Sequence, residues 1–331
     1  MLFRLPDPPL RVLTWHVHGN YLYYLAHCHH ELYVPVGADG EGSLGSGFDW
    51  PPNLHEIPVD KVRDTEFDVV LFQHRGNWDV DQHAILSKEQ RSGPRVYLEH
   101  DPPREHATDT RHWVNDPDLL LVHVTHFNAL MWDSGRTPTR VIEHGVVVPA
   151  DARYTGELER GVVVINGLPT RGRRLGLDVF QRAAERVPLD LIGMESEAIG
   201  GLGAVVPRDL PRTIAPYRFF FSPIRYTSLG LAVIEAMAVG LPIIGLATTE
   251  LPTVIDNGVS GYVATDVEAL IGRMEELLAD PQEARRLGQG ARRTAMERFG
   301  IERFAADWDA LLLEAAGRTA GADQRAAVSP R

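Results

Sequence analysis

"RYTSLGLAVIEAMAVGLPIIG", Arg225–Gly245, decides how the chain folds. It holds one acidic residue, Glu235, in an otherwise apolar run with helical character. Just upstream, Phe219–Ser222 has the character of a buried strand, and Pro223–Gly230 forms a loop in which Gly230 permits a tight turn. Apolar positions at Val233, Ile234 and Met237 predict a helix opening at Leu231, with Gly240 placed to cap it. A strand, a loop and a helix in that order deliver a helix N-terminus to the carboxyl end of a strand. Free N–H groups and the helix dipole favour an anion there. Glu235 lies about one turn further on, from where a carboxylate can accept two hydrogen bonds from a sugar diol. The competing reading is a solvated glutamate on the helix's polar face. Ile234 and Ala236–Val239 leave almost no such face.

Outward from this stretch, short apolar runs alternate with helical or loop segments. Strand candidates are Arg11–Trp15, Leu32–Val36, Asp68–Phe72, Arg95–Glu99 and Leu119–Val124. In the second half they are Gly161–Ile165, Leu189–Ile192, Arg218–Ser222, Pro242–Leu246 and Gly261–Val263. Most lack clear alternation, which suits parallel strands covered on both faces. Helical stretches such as Leu177–Arg186 and Leu231–Val239 complete βαβ units, so both halves read as doubly wound α/β domains. Pro149, Gly156 and several charges mark a connection over Val146–Arg160. The predicted division is an N-terminal domain over 1–150, a second domain over 151–300, and terminal helices plus a polar, frayed tail over 301–331.

Composition bounds the function. Of 331 residues, 44% are hydrophobic and 24% charged, as in a globular protein. With 33 basic against 45 acidic residues the net charge is −12, which argues against broad binding to nucleic acid or anionic membrane. The single cysteine, Cys28, excludes an intrachain disulfide and fits a reducing cytoplasm. The first residues lack an uninterrupted apolar signal core, and no apolar run approaches the ~20 residues of a membrane span.

The run "YTSLGLAVIEAMAVGLPIIG" resembles the C-terminal signature of retaining glycosyltransferases with the GT-B fold, family 4 in particular. That signature has two glutamates with seven residues between them. Glu235 matches the second, which in the family binds the nucleotide's ribose. Thr227 stands where the first contacts the donor sugar. The segment Ser228, Leu229, Gly230 and Leu231 matches the amides that meet the diphosphate. "NGVSGYV" (Asn257–Val263), "TRVIEHGVVVP" (Thr139–Pro149, with His144 in an asparagine's place) and "MERFGIERFAADWDALL" are similar to further family elements, the last to helices that return to the N-terminal domain. The fold implied is two Rossmann-like domains facing across a cleft.

Three arginines crowd a Gly-rich loop in "INGLPTRGRRLGLDVF". Planar guanidinium groups suit a diphosphate, although a solvated basic loop is the plainer alternative. The family places an Arg directly after the glycine and a Lys four residues later. Here Leu168 follows Gly167, so the register departs. Arg171 and Arg173 are the candidates, with Arg174 as substitute. Two arginines and a helix N-terminus can neutralise a leaving diphosphate without a metal.

In the N-terminal half, "TWHVHGNYLYYL" places His18, Gly19 and Asn20 after the first strand, where the resemblance puts a cleft-lining loop. "LEHDP" is similar to a family segment whose histidine sits beside the donor sugar. His100 takes that place, able to donate a hydrogen bond to a sugar hydroxyl, with Asp101 to orient it or to act as an acceptor-side base. In "HVTHFNALMWDSG", Thr125 takes a serine's place, His126 is a possible cleft residue and His123 is structural. The histidines of "HCHHE" (His27, His29 and His30) and the pair His100 and His106 raise a metal reading. Without H-E-x-x-H or paired C-x-x-C, these read rather as histidines satisfied by hydrogen bonds. The expectation is a glycosyltransferase using a nucleotide-diphosphate sugar as co-substrate, with no cofactor, metal or nucleic-acid partner and an unknown acceptor. The alternative is a weakly active or inactive nucleotide-sugar-binding protein, motivated by Thr227.

Overall fold

Most of the twelve strands are built from runs of Val, Ile, Leu and Phe, which favour the pleated backbone when both faces are covered. In the computed structural model, which describes residues 8–317, the twelve are β1 Arg11–Thr14, β2 Glu31–Val36, β3 Leu54–Pro58, β4 Val69–Phe72, β5 Arg95–Glu99, β6 Leu120–His123, β7 Thr139–Val141, β8 Leu158–Val164, β9 Leu189–Ile192, β10 Tyr217–Ser222, β11 Ile243–Leu246 and β12 Gly261–Ala264. All ten predicted strands are present, most displaced by a residue or two. β3 and β7 were not among them: LHEIP is short and ends on proline, and TRV is only three residues long. The frayed tail read from the sequence lies, beyond Gly317, outside the described residues.

The chain divides into two compact units. One runs to Gly145 and takes up the segment from Ile301 onward; the other is Val146–Gly300. The division falls between Gly145 and Val146 rather than between residues 150 and 151. Val146 is already committed to the second unit, donating its N–H to Phe299 O at 2.9 Å and bridging to Gly300.

The first unit holds a parallel sheet of order β3-β2-β1-β4-β5-β6-β7. Leu13, Val70, Phe72, Tyr97 and Leu121 pack its core. The terminal helix Ile301–Ala315 belongs to this unit. Its Trp308 is fully buried and donates Nε1–H to Tyr21 OH at 3.1 Å, and Asp309 accepts the His29 N–H at 2.8 Å.

The second unit holds a parallel sheet of order β12-β11-β10-β8-β9. Phe219, Phe221, Ile244, Val163, Leu270 and Met274 are buried around it. In an open parallel sheet, ligand crevices form at the carboxyl ends of the strands where the order reverses direction. That point lies between β1 and β4 in the first unit and between β8 and β10 in the second.

Candidate functional site

The second unit's switch point brings together the loops after β8 and β10. Gly176, at φ 85°, lets them touch: a Cβ there would lie 1.9 Å from Pro223 O. The Arg225 and Tyr226 N–H groups both donate to Arg174 O at 3.1 Å. The helix Leu231–Val239 then starts at Gly230, whose Cα faces open space, and ends at Gly240 with φ 107°. Predicted and observed helix bounds coincide.

A small cavity of about 20 Å³, room for about one water, sits at the start of that helix. Thr227, Ser228, Leu229, Gly230 and Val233 line one side, and Thr248 and Thr249 from the loop after β11 line another. Ser228 Oγ is buried with no hydrogen-bond partner among the described residues. Thr249 holds φ 52°, a left-handed conformation costly for a β-branched residue and typical of ligand clamps. Glu235, two residues beyond Val233, is 2% exposed, so its carboxylate is not a solvated surface group.

The arginines fall differently from the register the resemblance implied. Arg171 ends the short helix Leu168–Arg171 and is exposed, as is Arg173; Arg174 is half-buried. Arg173 pairs with Asp178 at 2.6 Å. So does Arg225, bidentately at 2.5 and 2.8 Å, while also donating to Arg173 O at 2.8 Å. The Arg225 hydrogen bonds hold the Asp178 carboxyl below the usual carboxylate range, and Asp178 in turn raises Arg225. Sequence reasoning missed Asp178 and Arg225. Their only signal is position: one opens the helix Leu177–Ala184 after β8 and the other sits in the loop after β10.

In the first unit, His18 precedes the helix Gly19–Leu25, which carries Asn20 in its first turn after β1. Gln73 and His74 follow β4, and His100 and Asp101 follow β5. The His18 and His100 rings are 4.5 Å apart, edge to face, and Tyr21 is 4.8 Å from His100. Burial, then the fields of His18, His144 and His74, push His100 well below the usual histidine value, so it is neutral. Asp101, expected to orient His100, instead pairs with Arg104 at 2.5 Å. The hydrogen-bond partner of the His100 ring is Gln73, whose Oε1 accepts from Nε2 at 3.2 Å. His126 is exposed at the start of the helix His126–Met131, which Thr125 caps by accepting the Asn128 N–H at 3.0 Å. His123 is fully buried and pushed down to about 3, chiefly by burial.

The "HCHHE" histidines do not converge. His27 Nδ1 bonds Tyr23 O, the His29 N–H goes to Asp309, and His30 Nδ1 accepts the Leu10 N–H. Among the described residues no group of three or more His, Cys, Asp or Glu is arranged to hold a metal ion. None of the helices described is long and apolar enough to cross a membrane.

Two parallel-sheet units with these strand orders define the GT-B fold of glycosyltransferases. The chain superposes on sucrose-phosphate synthase from Thermosynechococcus elongatus with a TM-score of 0.67 and 18% identity, over 92% of this chain and 98% of that one. It superposes on Anabaena HepE in complex with UDP at 0.65 and 17%, over 92% and 100%. Residues 174–280 match the family model Glycosyl transferases group 1, which extends the resemblance carried by Arg218–Val263. In sequence the chain is 33% identical over 116 residues to spore coat protein SA of Bacillus subtilis, covering 34% of this chain and 31% of that one. It is 26% identical over 244 residues to the GDP-mannose-dependent alpha-(1-6)-phosphatidylinositol monomannoside mannosyltransferase of Mycolicibacterium smegmatis, covering 67% and 59%. The matches thus span less than two thirds of these relatives' length.

Proposed function

We propose that the protein is a glycosyltransferase that takes a sugar from a nucleotide-diphosphate donor. The observation that carries this reading is Glu235, buried in an apolar helix whose N-terminus borders a hydroxyl-lined cavity between the loops after β10 and β11. In this reading the carboxylate accepts hydrogen bonds from the ribose diol, and the amides of Ser228–Leu231 meet the diphosphate. Structures of HepE hold UDP and UDP-glucose, which supports a donor of the same chemistry.

Arg171, Arg173, Arg174 and Arg225 supply the positive charge that a departing diphosphate needs, so the chain requires no metal. With the donor bound, this charge stabilises the leaving group as the bond to the sugar lengthens. A diphosphate oxygen then takes the acceptor hydroxyl's proton on the same face, and the sugar's anomeric configuration is retained. His18, Asn20 and His100 serve the sugar and acceptor side. Thr227 replaces a charged contact to the donor sugar with a hydroxyl, a change that bears on which sugar is accepted. The single cysteine fits work in a reducing cytoplasm.

The test is turnover across a panel of UDP-, GDP-, ADP- and dTDP-sugars, with release of the nucleoside diphosphate as readout and with and without EDTA. The reading predicts release from at least one donor, unchanged by chelation. Melting shifts with nucleotides but no release from any donor would favour a pure binder.

A further inference from the structure

Gln73 directly follows β4 and is 3% exposed. Its Nε2 donates to Thr14 Oγ1 at 2.8 Å and to Trp15 O at 3.0 Å. A backbone carbonyl oxygen can only accept, so the atom facing Trp15 must be the amide nitrogen. Thr14 has already spent its hydroxyl proton on Leu71 O at 3.0 Å, so towards Gln73 it too can only accept. Both amide protons are therefore committed, and the amide cannot flip. That leaves Gln73 Oε1, an obligate acceptor, 3.2 Å from His100 Nε2. The ring nitrogen there must carry the proton.

We infer that Gln73 is a positioning residue that locks His100 in its Nε2–H tautomer, leaving Nδ1 as a lone-pair acceptor for a hydroxyl of the bound sugar. The inference rests on the glycosyltransferase reading only for the identity of that hydroxyl; the tautomer follows from the hydrogen-bond chain alone. It also reverses the role that the sequence suggests, since Nε2–H is spent inside the protein and His100 receives a hydrogen bond from substrate. An oxygen with no proton to give, such as a methyl ether at the same position, finds no partner at Nδ1. The groups around the ring are His18 and Tyr21 in edge contact, with His74 and His144 adding their fields. None is an acid able to rival Gln73 for the Nε2 proton.

The experiment needs no substrate. Histidine-labelled full-length protein is examined by long-range proton–nitrogen correlation NMR, alongside Gln73→Leu and Gln73→Glu. Wild type should show a protonated Nε2 and an unprotonated Nδ1, with the Nε2 proton protected from exchange with water. Gln73→Leu should speed that exchange at least tenfold. Gln73→Glu puts a carboxylate against the same proton and should raise the His100 titration by at least one pH unit. A generic packing role for Gln73 moves neither quantity. A wild-type ring protonated on Nδ1 would overturn the inference. So would exchange within twofold of wild type in a folded Gln73→Leu protein, or an unmoved titration in Gln73→Glu. If Gln73→Leu does not fold, the wild-type and Gln73→Glu spectra decide. The expected tautomer with no turnover on any nucleotide sugar would defeat the functional reading and leave this one standing.

Discussion

A carboxylate taken out of water is expensive unless polar groups receive it. Glu235 is 2% exposed in a helix of Leu, Ala, Val, Ile and Met. The sequence displayed this residue plainly, because a charge inside an apolar run conflicts with burial by composition alone. Gln73, Asp178 and Arg225 were not visible in the same way. Polar residues are ordinary in loops and in the first turn of a helix, and only folding shows that Asp178 gathers two guanidinium groups. Since Arg225 is bound more tightly to Asp178 than the exposed Arg173, Asp178→Ala should release both arginines. We expect a several-fold loss of affinity for the diphosphate group, measured as the difference between UDP and uridine binding. Equal effects on the two ligands would show that Asp178 does not serve the phosphate side. Arg173→Ala should lower turnover by tenfold or more while leaving the melting temperature nearly unchanged, because an exposed ion pair adds little stability.

At the scale of elements, the strand–loop–helix unit from Tyr217 to Val239 was legible because three signals agree: a run of aromatic strand formers, a glycine at the turn and a glycine at the cap. Period and punctuation specified it locally. β3 escaped because its LHEIP residues carry no such pattern and its strand character comes from pairing with β2 over Leu32–Val36. The cap of the helix Leu231–Val239 makes a specific prediction. Gly288, in the helix Pro281–Arg298, approaches so closely that a Cβ would lie 2.0 Å from Gly240 O. Gly288→Ala should therefore destabilise the second unit by about 1–3 kcal/mol through overpacking, read from chemical denaturation. A change below 0.5 kcal/mol would show that the backbone relaxes freely there.

For the whole molecule, the two-domain α/β architecture followed from alternating elements. The transfer of the terminal helix to the first unit came from resemblance rather than pattern, because nothing local in Ile301–Ala315 says which core receives Phe304 and Trp308. Protonation gives a global prediction. His100 and His123 are neutral in the folded chain, their pKa values depressed chiefly by burial, while an unfolded chain binds protons at both near pH 6.5. Their contribution is fully present above about pH 6.5 and declines as pH falls, by up to about 1.4 kcal/mol per pH unit per group. For His123 that decline continues towards pH 3. His123→Phe should flatten the stability–pH curve between pH 6 and 4; a curve as steep as wild type would remove His123 from the account.

The central claim is that a buried carboxylate one turn into the helix at the second switch point holds a nucleotide's ribose. Calorimetric titration of UDP and GDP into wild type and Glu235→Gln tests it most directly, with the circular dichroism spectra matched beforehand. The charged hydrogen bonds lost are worth about 1.5–3 kcal/mol each, so affinity for the preferred nucleotide should fall at least tenfold. Unchanged affinity for both nucleotides in a folded Glu235→Gln protein would contradict the account.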